Sequence, residues 1–135
     1  MSTEDSLPQS TAVHPAAAAL VAIAAWIVPG LGHALLSRWG RALGFFITTT
    51  GLAAAGLALH GEVFSAHSAG PFGVLGFLAD LGSGILYFLA RFFEPAGADL
   101  ARASGDYATR LIAAAGIVNL IGVLDAYGLA RGRRD

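Results

Sequence analysis

The stretch PGLGHALLSRWGR, residues 29–41, decides how this chain folds, because it interrupts a long apolar sequence. The apolar run before it, residues 16–28, is shorter than the roughly 17–25 residues that a helix needs to cross a bilayer. Pro29 lacks a backbone N–H and Gly30 follows it, so a helix must break or kink there. The first segment is therefore either a kinked helix that continues to Leu36 or a short helix followed by a re-entrant turn.

Outward from this stretch, the rest of the chain is also strongly apolar. Hydrophobic residues make up 56% of the 135 residues and charged residues 13%, whereas soluble domains have about 45–50% and about 25%. A small soluble domain cannot bury that much apolar surface, but a bilayer accommodates it. Four segments approach the length of a span, at about residues 15–36, 41–59, 71–93 and 109–130. We therefore predict an all-α integral membrane helical bundle with about four hydrophobic segments, the first kinked or re-entrant at Pro29 and Gly30.

The polar and charged residues divide the chain into three parts. Residues 1–14 contain no Arg or Lys, so they lack the basic region of a cleaved signal peptide. Because this segment is rich in Ser, Thr and Pro, it is predicted to be a disordered polar tail. Residues 15–130 form the predicted bundle, and residues 131–135 form a basic tail. The chain has no Cys, which excludes disulfides and thiolate sites, and its net charge of -1 gives no basic field for a nucleic acid partner.

The basic residues also bear on where the protein lies. All eight are Arg, and with the abundance of Ala and Gly this is typical of a GC-rich bacterial genome, so we expect a multi-pass protein of the bacterial inner membrane. With four spans, Arg38 and Arg41 fall in the first connection, and Arg91, Arg102 and Arg110 lie in or beside the third. The positive-inside rule then places both termini outside. The basic C-terminal tail favours the cytoplasm instead, and an odd number of spans, with a re-entrant first segment, would reconcile the two.

Small residues recur at helical spacing within three of the segments. Because small residues let helix backbones approach closely, these faces are predicted to be the packing seams of the bundle. The three faces are Gly44, Thr48, Gly51, Ala55 and Ala58; Gly73, Gly76, Asp80, Gly84, Tyr87 and Arg91; and Gly116, Asn119, Val123 and Tyr127.

The corner after the first turn combines a titratable ring with two cations. His33 follows the turn, and Arg38 and Arg41 flank Trp39, whose ring suits a membrane interface. One interpretation is a purely structural hairpin corner. The other is a site for an anion or a lipid headgroup, formed by His33, Arg38 and Arg41.

Two carboxylates lie within predicted helices. Asp80 falls near the middle of the third segment, where a charge is costly, so we expect it to face the interior with a partner such as Asn119 or His33. It is either a hydrogen-bonded or protonated packing contact or part of a proton or cation relay. Asp125 could pair with Arg41 or Arg38, but four spans would put it on the opposite side of the membrane from both.

Patterns for enzymatic chemistry or metal binding are weak. His60, Glu62 and His67 share one connection, yet their spacing matches no strong metal site, and we interpret this connection as a solvated loop. Nucleophile and base residues are not arranged recognisably, and the Gly residues do not form a phosphate-binding turn. We therefore predict no catalytic, cofactor-binding or metal-binding residues and expect that the protein is not an enzyme.

The run PGLGHALLSRWGRALGFF, residues 29–46, resembles the helical-hairpin signature of the two-transmembrane-helix domain proteins, although it lacks their Asp-Arg-Phe motif. It is more closely similar to an uncharacterised bacterial family of integral membrane proteins of unknown function, which shares the Gly-His turn, the Arg-Trp-x-Arg connection and a segment like NLIGVLDAY, residues 119–127. The resemblance implies a helical membrane fold and directs attention to Pro29, Gly30, Gly32, His33, Arg38, Arg41, Asn119, Asp125 and Tyr127.

These observations favour a small structural or interaction protein of the membrane, acting as a subunit or scaffold of a larger assembly. Its expected partners are membrane lipid and either another protein or a second copy of the chain. The alternative is a small transporter or a proton- or ion-conducting protein that uses Asp80 and His33.

Overall fold

The computed structural model describes residues 14–67, 70–93 and 103–133. Within these ranges the chain forms six helices and no strand, which confirms the prediction of an all-α fold for this part of the chain. The helices are α1 Pro15–Ile27, α2 Leu31–Leu35, α3 Trp39–Ala58, α4 Gly70–Leu81, α5 Ile85–Phe93 and α6 Ala103–Ala130. The predicted polar tail lies outside the described residues except for His14, whose Nδ1 accepts a hydrogen bond from Ala16 N at 3.3 Å and caps α1.

The first two helices form a short hairpin. α1 ends at Ile27 and Gly30 adopts a left-handed φ of 81°, so the predicted interruption at Pro29 and Gly30 is confirmed. α2 then runs back along α1. The two helices lie so close together that a Cβ at Gly32 would be 2.6 Å from Ala25 Cβ. The segment is therefore two helices that fold back on each other, not one kinked helix.

The two longest helices pack against each other in opposite directions. Phe45, near the start of α3, contacts Gly122 near the end of α6, and Gly56 near the end of α3 contacts Ile112. The buried residues of α3 are Ala42, Thr49, Ala53 and Gly56.

This buried face corrects the predicted seam of α3. Gly44 and Gly51 have open space around the position of a Cβ, and Thr48, Ala55 and Ala58 are exposed. Ala42, Thr49 and Ala53 each lie two positions before a residue of the predicted seam. Two positions correspond to about 200° around a helix of 3.6 residues per turn, so the buried face is nearly opposite the predicted one. Because α3 carries small residues on both faces, the prediction selected the wrong one.

The third apolar segment is also a hairpin. A single helix over residues 71–93 was expected, but α4 and α5 are bent by 112° at residues 82–84. Gly84 has a φ of 64°, a left-handed conformation that cannot continue a right-handed helix. Ser83 Oγ donates to Asp80 O at 2.6 Å, just after the end of α4. α5 then turns back so that Tyr87 and Ala90 pack on the same core as Ile112. The prediction of one continuous helix is wrong for this segment.

The connection between α3 and α4 is partly buried, which corrects the expected solvated loop. Val63 is in the core with Ile112, and Gly61 lies against Ala108 of α6. Glu62 N donates to Thr109 Oγ1 at 2.9 Å, so a side chain of α6 satisfies this buried backbone.

By length and composition, two helices can cross a membrane: Trp39–Ala58 and Tyr107–Ala130. A third candidate exists only if the bent pair α4 and α5 counts as one broken span, and α1 is a shorter apolar helix. Among the described residues, the four predicted segments are therefore present as apolar helices, but four spans are not confirmed.

Candidate functional site

The carboxylate of Asp125, on α6, contacts three basic side chains. Its Oδ2 lies 3.0 Å from His33 Nε2 and accepts a hydrogen bond from Arg41 Nη1 at 2.9 Å. Its Oδ1 accepts a hydrogen bond from Arg133 Nη2. We call these four residues, His33, Arg41, Asp125 and Arg133, the end cluster. It joins α2, α3, α6 and the C-terminal tail at one end of the molecule.

The way in which α6 ends brings Arg133 into this cluster. Gly132 N donates to Leu129 O and Arg133 N donates to Gly128 O, both at 3.0 Å, which is the Schellman pattern of a helix C-terminus. The chain therefore folds back over the last turn of α6. Gly128 leaves room for the guanidinium, since a Cβ at that position would lie 3.0 Å from Arg133 Cζ.

His33 is the most deeply buried member of the cluster. It has no exposed surface, and its ring stacks on Phe45 with centroids 4.9 Å apart and planes inclined by 19°. An ionised carboxylate only accepts hydrogen bonds, so Nε2 carries the proton that faces Asp125. The other ring nitrogen, Nδ1, is buried without a hydrogen-bonding partner among the described residues.

Two of the three residues of the predicted anion site, His33 and Arg41, bond to Asp125. The third, Arg38, is exposed at the N-cap of α3. The side chain of Asp125 is 20% exposed, against 60% for Arg133. The end cluster is thus a partly buried ion-pair network that neutralises its own carboxylate.

A second polar site joins the tips of the two hairpins. Asn119 Nδ2 donates to Trp26 O at 3.1 Å and to Gly82 O at 2.9 Å, and Trp26 Nε1 donates to Leu81 O at 3.1 Å. Gly84 packs so closely that a Cβ there would lie 1.8 Å from Trp26 O. We call these five residues the tip junction. It satisfies backbone carbonyls at the ends of α1 and α4 with side chains.

The remaining predicted residues lie apart from both sites. Asp80 is fully buried, and its Oδ2 accepts a hydrogen bond from Phe64 N at 2.8 Å. The expected partners of Asp80, His33 and Asn119, bond instead to Asp125 and to the tip carbonyls. Tyr127 is exposed on α6, close to the end cluster in sequence but outside its hydrogen bonds as described.

Several residues of these sites were not singled out from the sequence. Trp26 carries an indole N–H near the end of an apolar run. Because a buried indole N–H usually needs an acceptor, a hydrogen bond from this residue to another part of the chain could have been predicted. Gly82 and Gly84 flank a serine within an apolar run, which is a local helix-breaking pattern, whereas Gly84 was predicted only as part of a packing face. Arg133 gave no local signal, because its role depends on the fold of the helix end.

The fold and the two sites define a helical protein with two helices of membrane-spanning length and its polar groups engaged in helix-to-helix contacts. The chain belongs to DUF6677, a family of unknown function whose profile matches residues 20–135. No curated protein and no solved structure matches the chain. The prediction of an uncharacterised family is confirmed to that extent, and the likeness to the two-transmembrane-helix domain proteins stays a prediction.

Proposed function

We propose that this protein is a small multi-pass component of the bacterial inner membrane that acts as a structural or interaction subunit of a larger assembly. The observation that carries this proposal is the closed arrangement of its polar groups. In the end cluster and the tip junction, side chains connect one helix to another instead of converging on an open cavity. Buried polar groups with this arrangement specify helix packing in membranes.

The proposed membrane arrangement has two full spans and two half-depth hairpins. α3 and α6 cross the bilayer, while α1 and α2 enter from the side of the end cluster and α4 and α5 enter from the other side. The tip junction would then lie inside the bilayer, where non-helical backbone needs hydrogen-bonding partners from the protein. Asn119 supplies two such donors, which supports this placement of the hairpin tips.

The distribution of Arg supports an orientation for this arrangement. Arg38, Arg41, Arg131 and Arg133 lie at the end of the molecule that carries the end cluster, since Arg41 and Arg133 both bond to Asp125. The described cations of the other end are Arg91 and Arg110. The positive-inside rule then puts the end cluster and both termini in the cytoplasm. The opposite orientation rests on four spans, which are not confirmed and would put the bonded pair Arg41 and Asp125 on opposite sides of the membrane.

A transport function is the second candidate, because two features of the fold favour it. Each hairpin is followed by a long helix, and α3 and α6 run in opposite directions, so the two halves have the layout of an inverted repeat. Transporters with such repeats bind substrate where broken helices meet in mid-membrane. At this junction, however, the amide N–H groups of Asn119 already bond to the carbonyls that a cation would need.

Substitution of Asp80 by Asn separates the two functions. The side-chain oxygen of Asn can still accept the hydrogen bond of Phe64 N, so for a structural subunit we expect a folded and inserted protein with unchanged partners. Partners are measured by native mass spectrometry of the tagged protein, extracted from its own membrane in a lipid-preserving polymer. Loss of proton or ion flux in vesicles reconstituted with the folded Asp80→Asn protein, relative to wild type, would instead establish transport. A wild-type protein that extracts alone and conducts would contradict the subunit function.

A further inference from the structure

An apolar groove of about 340 Å³ runs between the first hairpin and the start of α3. Pro29, Leu31 and Ala34 form one wall, and Trp39, Leu43 and Phe46 form the other. Its floor is closed where Gly30 meets Ala42, since a Cβ at Gly30 would lie 2.1 Å from Ala42 O. The groove is therefore a built feature of the hairpin packing, with an almost wholly apolar lining.

One end of the groove lies at the cationic end of the molecule. Trp39, which is 72% exposed, begins α3 directly after Arg38. Arg38, Arg41, Arg131 and Arg133 all lie at this end, as argued above. Of the three carboxylates whose side chains are described, Glu62, Asp80 and Asp125, only Asp125 lies there. The described residues of this end thus carry a net positive charge, next to an apolar slot.

We propose that this groove binds one acyl chain of an anionic phospholipid, whose phosphate lies beside Arg38 and the exposed edge of Trp39. The inference rests on the proposed membrane location. An apolar slot takes a hydrocarbon chain, an exposed Trp suits the headgroup level, and cations near a membrane surface attract anionic lipid. The lipid would fill the side of the hairpin that the described residues leave uncovered.

The groove follows α3 from Trp39 to Phe46, which is about 10 Å along a helix that rises 1.5 Å per residue. Because its lining is almost wholly apolar over that length, it suits a hydrocarbon chain, which needs no hydrogen-bonding partner.

The test is native mass spectrometry of the full chain, tagged and purified into detergent with equimolar phosphatidylglycerol and phosphatidylcholine of identical acyl chains. We expect wild type to retain phosphatidylglycerol about five-fold over phosphatidylcholine, since one cation near an anionic surface contributes a factor of that order. Arg38→Gln should remove this preference. Arg110→Gln, which changes a cation on α6 at the other end, is the matched control and should keep it.

A second pair of variants tests the groove itself. Leu43→Trp places a larger side chain in the groove and should lower the retention of both lipids at least five-fold. Ile47→Trp changes an equally exposed residue outside the groove and should leave the retention of both lipids unchanged. Circular dichroism verifies the fold, and Leu31→Trp replaces Leu43→Trp if that variant unfolds. Equal retention of the two lipids by wild type, or unchanged retention in the filled variants, would overturn the proposal. A dimer without lipid that Leu43→Trp abolishes would assign the groove to a second copy instead. Recovery of the protein outside the membrane fraction would refute the membrane location itself.

Discussion

Asn119 shows how a single side chain can connect three parts of this fold. Both hydrogens of its amide serve carbonyls at the tips of the two hairpins, while its own helix runs past them. The residue is buried, so water is not available to replace it. The positions of α1, α4 and α6 relative to one another therefore depend on this amide.

We expect Asn119→Ala to destabilise the protein by about 1–3 kcal/mol, because two buried carbonyls would lose their donor. Asn119→Asp should be worse at neutral pH, since a carboxylate would face the same two carbonyls. Thermal unfolding in detergent, followed by circular dichroism, measures both changes. Tyr127→Phe is the control on the same helix, and a melting temperature of Asn119→Ala equal to that of the control would contradict the account.

The end cluster makes a ranked prediction. Asp125→Asn should lower the melting temperature most, because His33 and Arg41 then lose their shared anion. Arg41→Gln should have a smaller effect, and Arg133→Gln the smallest, since Arg133 is 60% exposed and exposed ion pairs contribute only about 0–1 kcal/mol. Thermal unfolding at low and high salt gives the order. A larger effect at Arg133 than at Asp125 is incompatible with the cluster as described.

At the residue scale, much of the end cluster was within reach of the sequence. The sequence suggests a pairing of Asp125 with Arg41, but four spans would put the two residues on opposite sides of the membrane. His33 was singled out as a titratable ring beside the turn, yet its carboxylate partner lies 92 positions away. A contact between residues that far apart in the chain depends on the path of every helix between them. The spacing of residues in the sequence could therefore not predict it.

Among the helices, α3 and the segment of α4 and α5 show where local pattern is insufficient. α3 has small residues all around, and its tertiary contacts, with α6 and with the first hairpin, select the buried face that consists of Ala42, Thr49, Ala53 and Gly56. Gly82 and Gly84 do mark a weak point, but glycines are common in membrane helices. The break becomes a hairpin because Trp26 and Asn119 hold its carbonyls, and those contacts are tertiary.

A matched pair of glycine substitutions tests the packing of these helices. Gly116→Ala on α6 should be strongly destabilising, because the new Cβ would lie 1.6 Å from Ala79 O of α4. Gly51→Ala on α3 points into open space and should raise stability by up to about 1 kcal/mol, the usual gain of Ala over Gly in a helix. Chemical unfolding of the two variants in the same detergent compares them. Destabilisation of the monomer by Gly51→Ala would show that α3 packs through the other face.

For the whole molecule, composition predicted the class of fold better than the path of the chain. Four apolar segments are present, but two of them turn back, and the proposed number of full spans is two. Residues 15–36 are long enough to cross when only their hydrophobicity is considered. The hairpins depend on contacts of their tips: Gly30 packs against Ala42, and Gly84 packs against Trp26. The length of an apolar segment does not encode such contacts between separate parts of the chain.

The most direct test of the proposed arrangement uses the absence of native Cys, which makes every introduced thiol a unique label. Single variants Ser37→Cys, Arg131→Cys and His67→Cys place thiols at the turn before α3, after α6 and in the connection after α3. They are reacted with a membrane-impermeant maleimide in right-side-out and inverted vesicles. Two spans with two half-depth hairpins predict that Ser37→Cys and Arg131→Cys react from the cytoplasmic side and His67→Cys from the other side. Labelling of Ser37→Cys and Arg131→Cys from opposite sides would contradict the arrangement and restore the four-span alternative.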